Sequence, residues 1–119
     1  MWMMTKHGFY SIVEKESGMY HVRSRERADI ENLIRGVPLP GAGIQESRDA
    51  DYAVRVLVGK RELGAIMRFL GATLDYPNFK DKIDATAGQS HKPYHEVWRV
   101  LAEALGAYGR PGRASKNRK

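Results

Sequence analysis

Two hydrophobic periods alternate along the chain, one of two residues and one of 3.6. Residues 52–58 (Y-A-V-R-V-L-V) put Tyr52, Val54, Val56 and Val58 on one side and Ala53, Arg55 and Leu57 on the other. That is the period of a strand with one covered face. Residues 9–15 (F-Y-S-I-V-E-K) are rich in aromatic and β-branched side chains and predict a second strand. The apolar residues 1–4 extend it, across a bulge or bend at His7-Gly8. Glu16-Ser17-Gly18 has tight-turn chemistry, and residues 19–23 follow as the other half of a hairpin. Its parity places Tyr20 and Val22 on one face and Met19, His21 and Arg23 on the other. Residues 44–47 supply a short edge strand.

The helical period takes over between these segments. Ile30, Leu33, Ile34 and Val37 form a stripe, with Ser24 as its cap, Glu26 in the first turn and Gly36-Val37-Pro38 as its stop. Leu63, Ile66, Met67, Leu70 and Leu74 repeat in the same way after Gly59, giving a helix over about 60–73. Phe79 and Ile83 mark a short helix behind the turn Tyr76-Pro77-Asn78. Tyr94, Val97, Trp98, Leu101 and Leu105 mark the last one, with Pro93 in the first turn, Ser90 as cap, and Gly106 and Gly109 at its end. Trp98 is expected to be buried against the 63–70 helix or the sheet.

The order of elements predicts an α+β fold, an antiparallel sheet of about four strands with helices on one face, plus a C-terminal helix. A ferredoxin-like plait, permuted so that its last strand comes first, satisfies this order with residues 52–58 central. Residues 1–108 read as a single domain and 109–119 as a basic disordered tail.

Charge changes this picture only at the end of the chain. The net charge is +6, yet Arg110, Arg113, Lys116, Arg118 and Lys119 lie beyond the last acidic residue, Glu103. The remainder holds fifteen basic and fourteen acidic side chains, so isoelectric point alone does not argue for nucleic acid. Cysteine is absent, which removes disulfides, thiolate ligands and thiol nucleophiles. No apolar run approaches the roughly 20 residues of a membrane span. Residues 1–4 are too short an apolar run for a secretory signal, so a cytoplasmic protein is expected.

Chemistry-bearing residues are sparse. Asp75, Asp81 and Asp84 are candidate Mg²⁺ ligands of a nuclease, against their commoner role as helix caps. His91 and His95 stand four apart beside Glu96, but Pro93 intervenes and no H-E-x-x-H pattern exists, so no metal or other cofactor is assigned. Gly41-Ala42-Gly43 lacks the Gly-Lys-Ser/Thr of a phosphate loop, and there is no G-x-S-x-G elbow. Catalysis is unsupported. The uncovered sheet face is the stronger candidate, carrying His21, Arg23 and Arg55 with Phe9 or Tyr10 nearby. Aromatic and arginine side chains on an open sheet are how RNA-recognition modules stack bases. The competing readings are a solvated charged face and a face covered by a dimer partner or the last helix. The tail, through Arg110, Arg113, Lys116, Arg118 and Lys119, adds sequence-independent phosphate contacts or serves only as a solubilising end.

Three segments carry a resemblance: Met1-Trp2 with Lys6-His7-Gly8-Phe9-Tyr10-Ser11-Ile12-Val13, then Asp75-Tyr76-Pro77-Asn78-Phe79-Lys80, then Tyr94-His95-Glu96-Val97-Trp98. The chain resembles a family of short, uncharacterised bacterial proteins that open with Met-Trp and carry D-Y-x-N-F-K and Y-x-x-V-W boxes. The resemblance implies a bacterial or phage source, covers most of residues 1–101 and brings no activity or site residue. Tyr76, Asn78, Phe79 and Lys80 form a candidate interaction box. The expected function is a non-enzymatic nucleic-acid-binding module without a cofactor or membrane contact. The alternative is a protein-interaction module, as a small homodimer, adaptor or inhibitor. A metal-dependent nuclease is the third reading.

Overall fold

Tight turns fold the first 24 residues into three consecutive antiparallel strands: β1 (Trp2–Thr5), β2 (Gly8–Glu16) and β3 (Met19–Ser24). Residues 1–4 are therefore a strand of their own, not an extension of the next one. Lys6-His7 is a two-residue loop, and Thr5 Oγ1 accepts the N–H of His7 (3.1 Å) and of Gly8 (3.2 Å) while donating to Gly8 O (2.9 Å). The β2–β3 turn uses Gly18 at φ +76°, a conformation that favours glycine, and the register shifts by one residue at Lys15.

The computed structural model describes residues 1–85 and 93–106. Helix α1 (Arg27–Gly36) leads to β4 (Gln45–Glu46) and β5 (Val54–Val58), followed by α2 (Lys60–Ala72), α3 (Phe79–Ala85) and α4 (Tyr94–Leu105). The sheet has five strands in the order β1-β2-β3-β5-β4, every neighbour antiparallel. The α+β reading holds, with one strand more than expected because the first hairpin closes so tightly.

One face of the sheet makes the core. Tyr10 and Ile12 of β2, Val22 of β3 and Val54, Val56 and Val58 of β5 pack with Ile30 and Leu33 of α1 and Ile66 of α2. These side chains fall on alternate positions because the pleat turns successive residues to opposite faces, and opposed residues such as Ile12, Val22 and Val56 share one. The stripe of α1 is buried as its period predicts, but the helix begins at Arg27, with Glu26 as N-cap. Ser24 instead accepts the Glu26 N–H (3.2 Å), bracing the approach to the helix. Met67 of α2 and Leu74 beyond its end are exposed, and Phe69, missed by the stripe, packs against the core. Gly36 leaves it room: a Cβ there would lie 2.1 Å from the Phe69 ring. Glu62 closes the start of α2 by accepting the Gly59 N–H (2.6 Å).

The chain divides into two compact units, Met1–Phe79 and Lys80–Lys119. In the second, Ile83 and Tyr94 are buried, and Gly106 at φ +85° ends α4 by returning its N–H to Ala102 O (3.1 Å). Trp98 corrects the sequence reading. It is 49% exposed, Val97, Val100, Leu101 and Leu105 are exposed with it, and Lys80 Nζ stands 3.6 Å from its ring centre. Periodicity establishes that these residues share a stripe, not that a surface covers it.

Candidate nucleic-acid interface

The second face of the sheet is set by the same registers. Trp2 lies opposite Ser11 and Met4 opposite Phe9; Ser11 lies opposite Arg23, and Val13 opposite His21. His21 then faces Leu57, Arg23 faces Arg55, and Arg55 faces Gln45. One surface therefore runs from an apolar aromatic end at β1 to a cationic stretch on β3 and β5, with Gln45 of β4 beyond it. Trp2 is 73% exposed and meets Phe9 edge to face, with ring centres 6.0 Å apart. Of Phe9 and Tyr10, Phe9 is thus the one on this face, whereas Tyr10 is buried in the core with its hydroxyl donating to Asp29 O (2.7 Å).

The cationic end is braced. Arg23 Nη2 donates to Ser11 Oγ (2.7 Å), and its guanidinium carbon lies 4.6 Å from the Tyr52 ring centre. Arg25 lies 4.3 Å from the same ring. Tyr52 is buried but precedes β5 and belongs to this arginine stack, so the inward alternation of the strand does not reach back to it. Arg55 Nη1 lies 3.1 Å from His21 Nδ1 and Nη2 donates to Tyr52 O (3.3 Å). Because a guanidinium only donates, His21 Nδ1 is the acceptor and the imidazole is neutral, with its proton on Nε2. Burial first, then the Arg55 charge, lowers the His21 pKa in keeping with this pairing.

Arg23 and Arg55 are like charges placed directly opposite each other, an arrangement that costs stability unless an anion or polar groups offset it. The register brings Glu16 to this face only at the far end of β2. The central arginine pair is thus held in place by neutral groups, Ser11, His21, Tyr52 O and the Tyr52 ring.

Other candidate residues belong to the segment after α2, to α3 and to α4. In the D-Y-P-N-F-K box the Tyr76 and Phe79 rings are 6.2 Å apart, and burial, then Asp75, raises the Tyr76 pKa. Asp75 pairs with Lys6 (3.1 Å). Tyr76, Asn78 and Phe79 belong to the first unit and Lys80 to the second. Asp81 and His95 are exposed on α3 and α4, and Glu96 pairs with Arg99. Among the described residues no three His, Asp or Glu side chains gather as a metal-ligand set. His91 and the basic residues Arg110, Arg113, Lys116, Arg118 and Lys119 lie outside the described residues.

Trp2, Ser11, Tyr52, Arg25 and Gln45 are members of the face that strand-by-strand reading did not find. Alternation within β2 and β3 gives each strand's two sides, but only the cross-strand register joins Trp2 to Phe9 and Arg23 to Arg55. Among the described residues no helix is long and apolar enough to cross a membrane. Comparison of the chain with models of protein families, with curated proteins and with solved structures finds no match.

Proposed function

We propose that the chain is a non-enzymatic module that binds single-stranded nucleic acid in the cytoplasm, with the second sheet face as its docking surface. The observation that carries this reading is the directly opposed Arg23–Arg55 pair on the face that also exposes Trp2 against Phe9. A phosphate relieves the repulsion of two opposed guanidinium groups, and an unstacked base has an aromatic surface to cover at the β1 end. Single strands suit the site better than duplex, because stacking needs free base faces. The basic tail, through Arg110, Arg113, Lys116, Arg118 and Lys119, supplies further phosphate contacts without sequence preference. The strand order β2-β3-β5-β4, with α1 between β3 and β4 along the chain and α2 after β5, supports the permuted ferredoxin-like reading, an arrangement that leaves one sheet face to ligands.

Fluorescence anisotropy with short single-stranded RNA and DNA and with duplexes, across a salt series, tests the proposal. Binding is expected to favour single strands and to weaken steeply with salt. Arg23→Ala and Arg55→Ala should each remove about one counterion from the salt slope, and deletion of residues 110–119 should weaken binding to all sequences alike. Absence of binding at low salt, or equal binding by the Arg23→Ala, Arg55→Ala double variant, rejects the role of this face.

A further inference from the structure

The strand order leaves β1 and β4 at the edges of the sheet. Edge strands that stay solitary are usually short, charged, bulged or interrupted by proline. β4 meets that description: it has two residues, and Glu46 is tied to Arg27. β1 does not. Its sequence, W-M-M-T, carries no charged side chain, proline or register shift, and Trp2 projects 73% exposed beside an exposed Met1.

The backbone phase of β1 follows from its first pair. Met1 N donates to Ile12 O (2.9 Å) and Ile12 N donates to Met1 O (2.8 Å), so these two residues exchange both bonds. In an antiparallel ladder such pairs alternate with pairs that exchange none. Met3 with Tyr10 and Thr5 with Gly8 are then bonded inward, and Trp2 and Met4 direct N–H and C=O away from the sheet. Among the described residues no backbone hydrogen bond reaches this outer side.

We infer that the outer edge of β1 binds β1 of a second copy of this chain, antiparallel about a two-fold axis through Met3. In that register Trp2 of each copy exchanges both backbone bonds with Met4 of the other, so all four outward groups on each edge are paired. Opposed residues share a face, so each Trp2 ring lies beside a Met4 side chain of the other copy on the second face, a sulfur–aromatic contact. Moving the axis to Trp2 would leave Met4 unpaired, and a one-residue slip would set the Trp2 and Met4 side chains on opposite faces. The occupant is a second copy because the strand complements itself under two-fold symmetry, and because its side chains carry no charge while the adjacent Met1 ammonium is turned inward onto Ile12 O, so two chains of net +6 can approach along this line. The product is one continuous sheet of ten strands, with the two Arg23–Arg55 pairs on the same surface. An edge contact of this size sits at the small end of specific interfaces, so association in the micromolar range is expected.

Sedimentation velocity of the intact chain from about 1 to 500 µM, a range that brackets micromolar association, reads the equilibrium. Met4→Pro removes an outward N–H and leaves every β1–β2 bond in place, and Trp2→Lys places like charges at the seam. Both are expected to shift the dimer at least tenfold toward monomer with the far-ultraviolet circular dichroism unchanged. The chain has no cysteine, so Met3→Cys adds a lone thiol on the axis; there the two Cα atoms fall within disulfide reach, and mild oxidation should link two copies while Lys6→Cys remains unlinked. A wild-type chain that stays monomeric throughout the range overturns the inference. So does a dimer that survives Trp2→Lys and does not cross-link through Met3→Cys.

Discussion

Replacing Asp29 with alanine removes the side chain that ties α1 to the first two hairpins. Asp29 is buried in the first turn of α1, where its carboxylate also faces the favourable end of the helix dipole. Its Oδ2 accepts the Phe9 N–H at 3.1 Å and the Ser24 hydroxyl at 3.4 Å. A hydrogen bond to a charged group contributes about 1.5–3 kcal/mol, and the long Ser24 contact adds no more than about 0.5 kcal/mol. The helix-dipole term adds about 0.5 kcal/mol. Removing the carboxylate also recovers part of its burial cost, of order 1 kcal/mol in a partly polar site. The net loss for Asp29→Ala is therefore about 1–3 kcal/mol. Urea unfolding at pH 7 should show a lower midpoint at unchanged slope, and Asp29→Asn, which keeps an acceptor, should lose about half as much. A loss below about 0.5 kcal/mol for Asp29→Ala, inside the range of ordinary surface substitutions, would refute the assignment of Asp29 as the tie.

Gly36→Ala should destabilise the fold by about 1–2 kcal/mol although alanine is the better helix former, because its Cβ meets the Phe69 ring; Phe69→Leu in the same chain should restore part of the loss in urea melts. His7 is held by Thr73, Nε2 to Oγ1 at 2.9 Å, with its ring 4.7 Å from that of Phe69, and burial followed by Lys6 lowers its pKa. The unfolded chain then takes up a proton more readily, so this contribution is complete above about pH 6.5 and is lost as the pH falls through the lowered value; melting temperature should drop over that window, and His7→Gln should flatten the drop. Trp98→Ala should cost about 1 kcal/mol in a thermal melt, well under the 3–5 kcal/mol of a core tryptophan, since half of the side chain is already exposed; a core-sized loss would show that Trp98 is covered in solution.

Much of the fold is legible in the chain because the two periods are undiluted. The alternation at Val54, Val56 and Val58 and the stripe at Ile30, Leu33 and Val37 each place the buried side correctly. Three features were not legible. The Lys6-His7 loop turns on Thr5 accepting two backbone bonds, which no propensity registers. Tyr52 continues the parity of β5 in sequence, but the chain leaves the ladder before it and the ring joins two arginines. Trp98 has the spacing of a core residue, and spacing carries no information about whether a second surface arrives. The candidate face was half visible: His21, Arg23 and Arg55 follow from parity within strands, whereas Trp2 and the arginine pairing depend on register across them.

The most direct measurement of the central claim is a titration of isotopically labelled protein with a short single-stranded oligonucleotide, followed by NMR. The account predicts that shifts cluster at the Trp2 indole, at Phe9 and His21, and at the Arg23 and Arg55 side chains, with core amides such as Val22 and Val56 less affected. Shifts confined to residues 110–119, or none at an oligonucleotide excess in low salt, would contradict it.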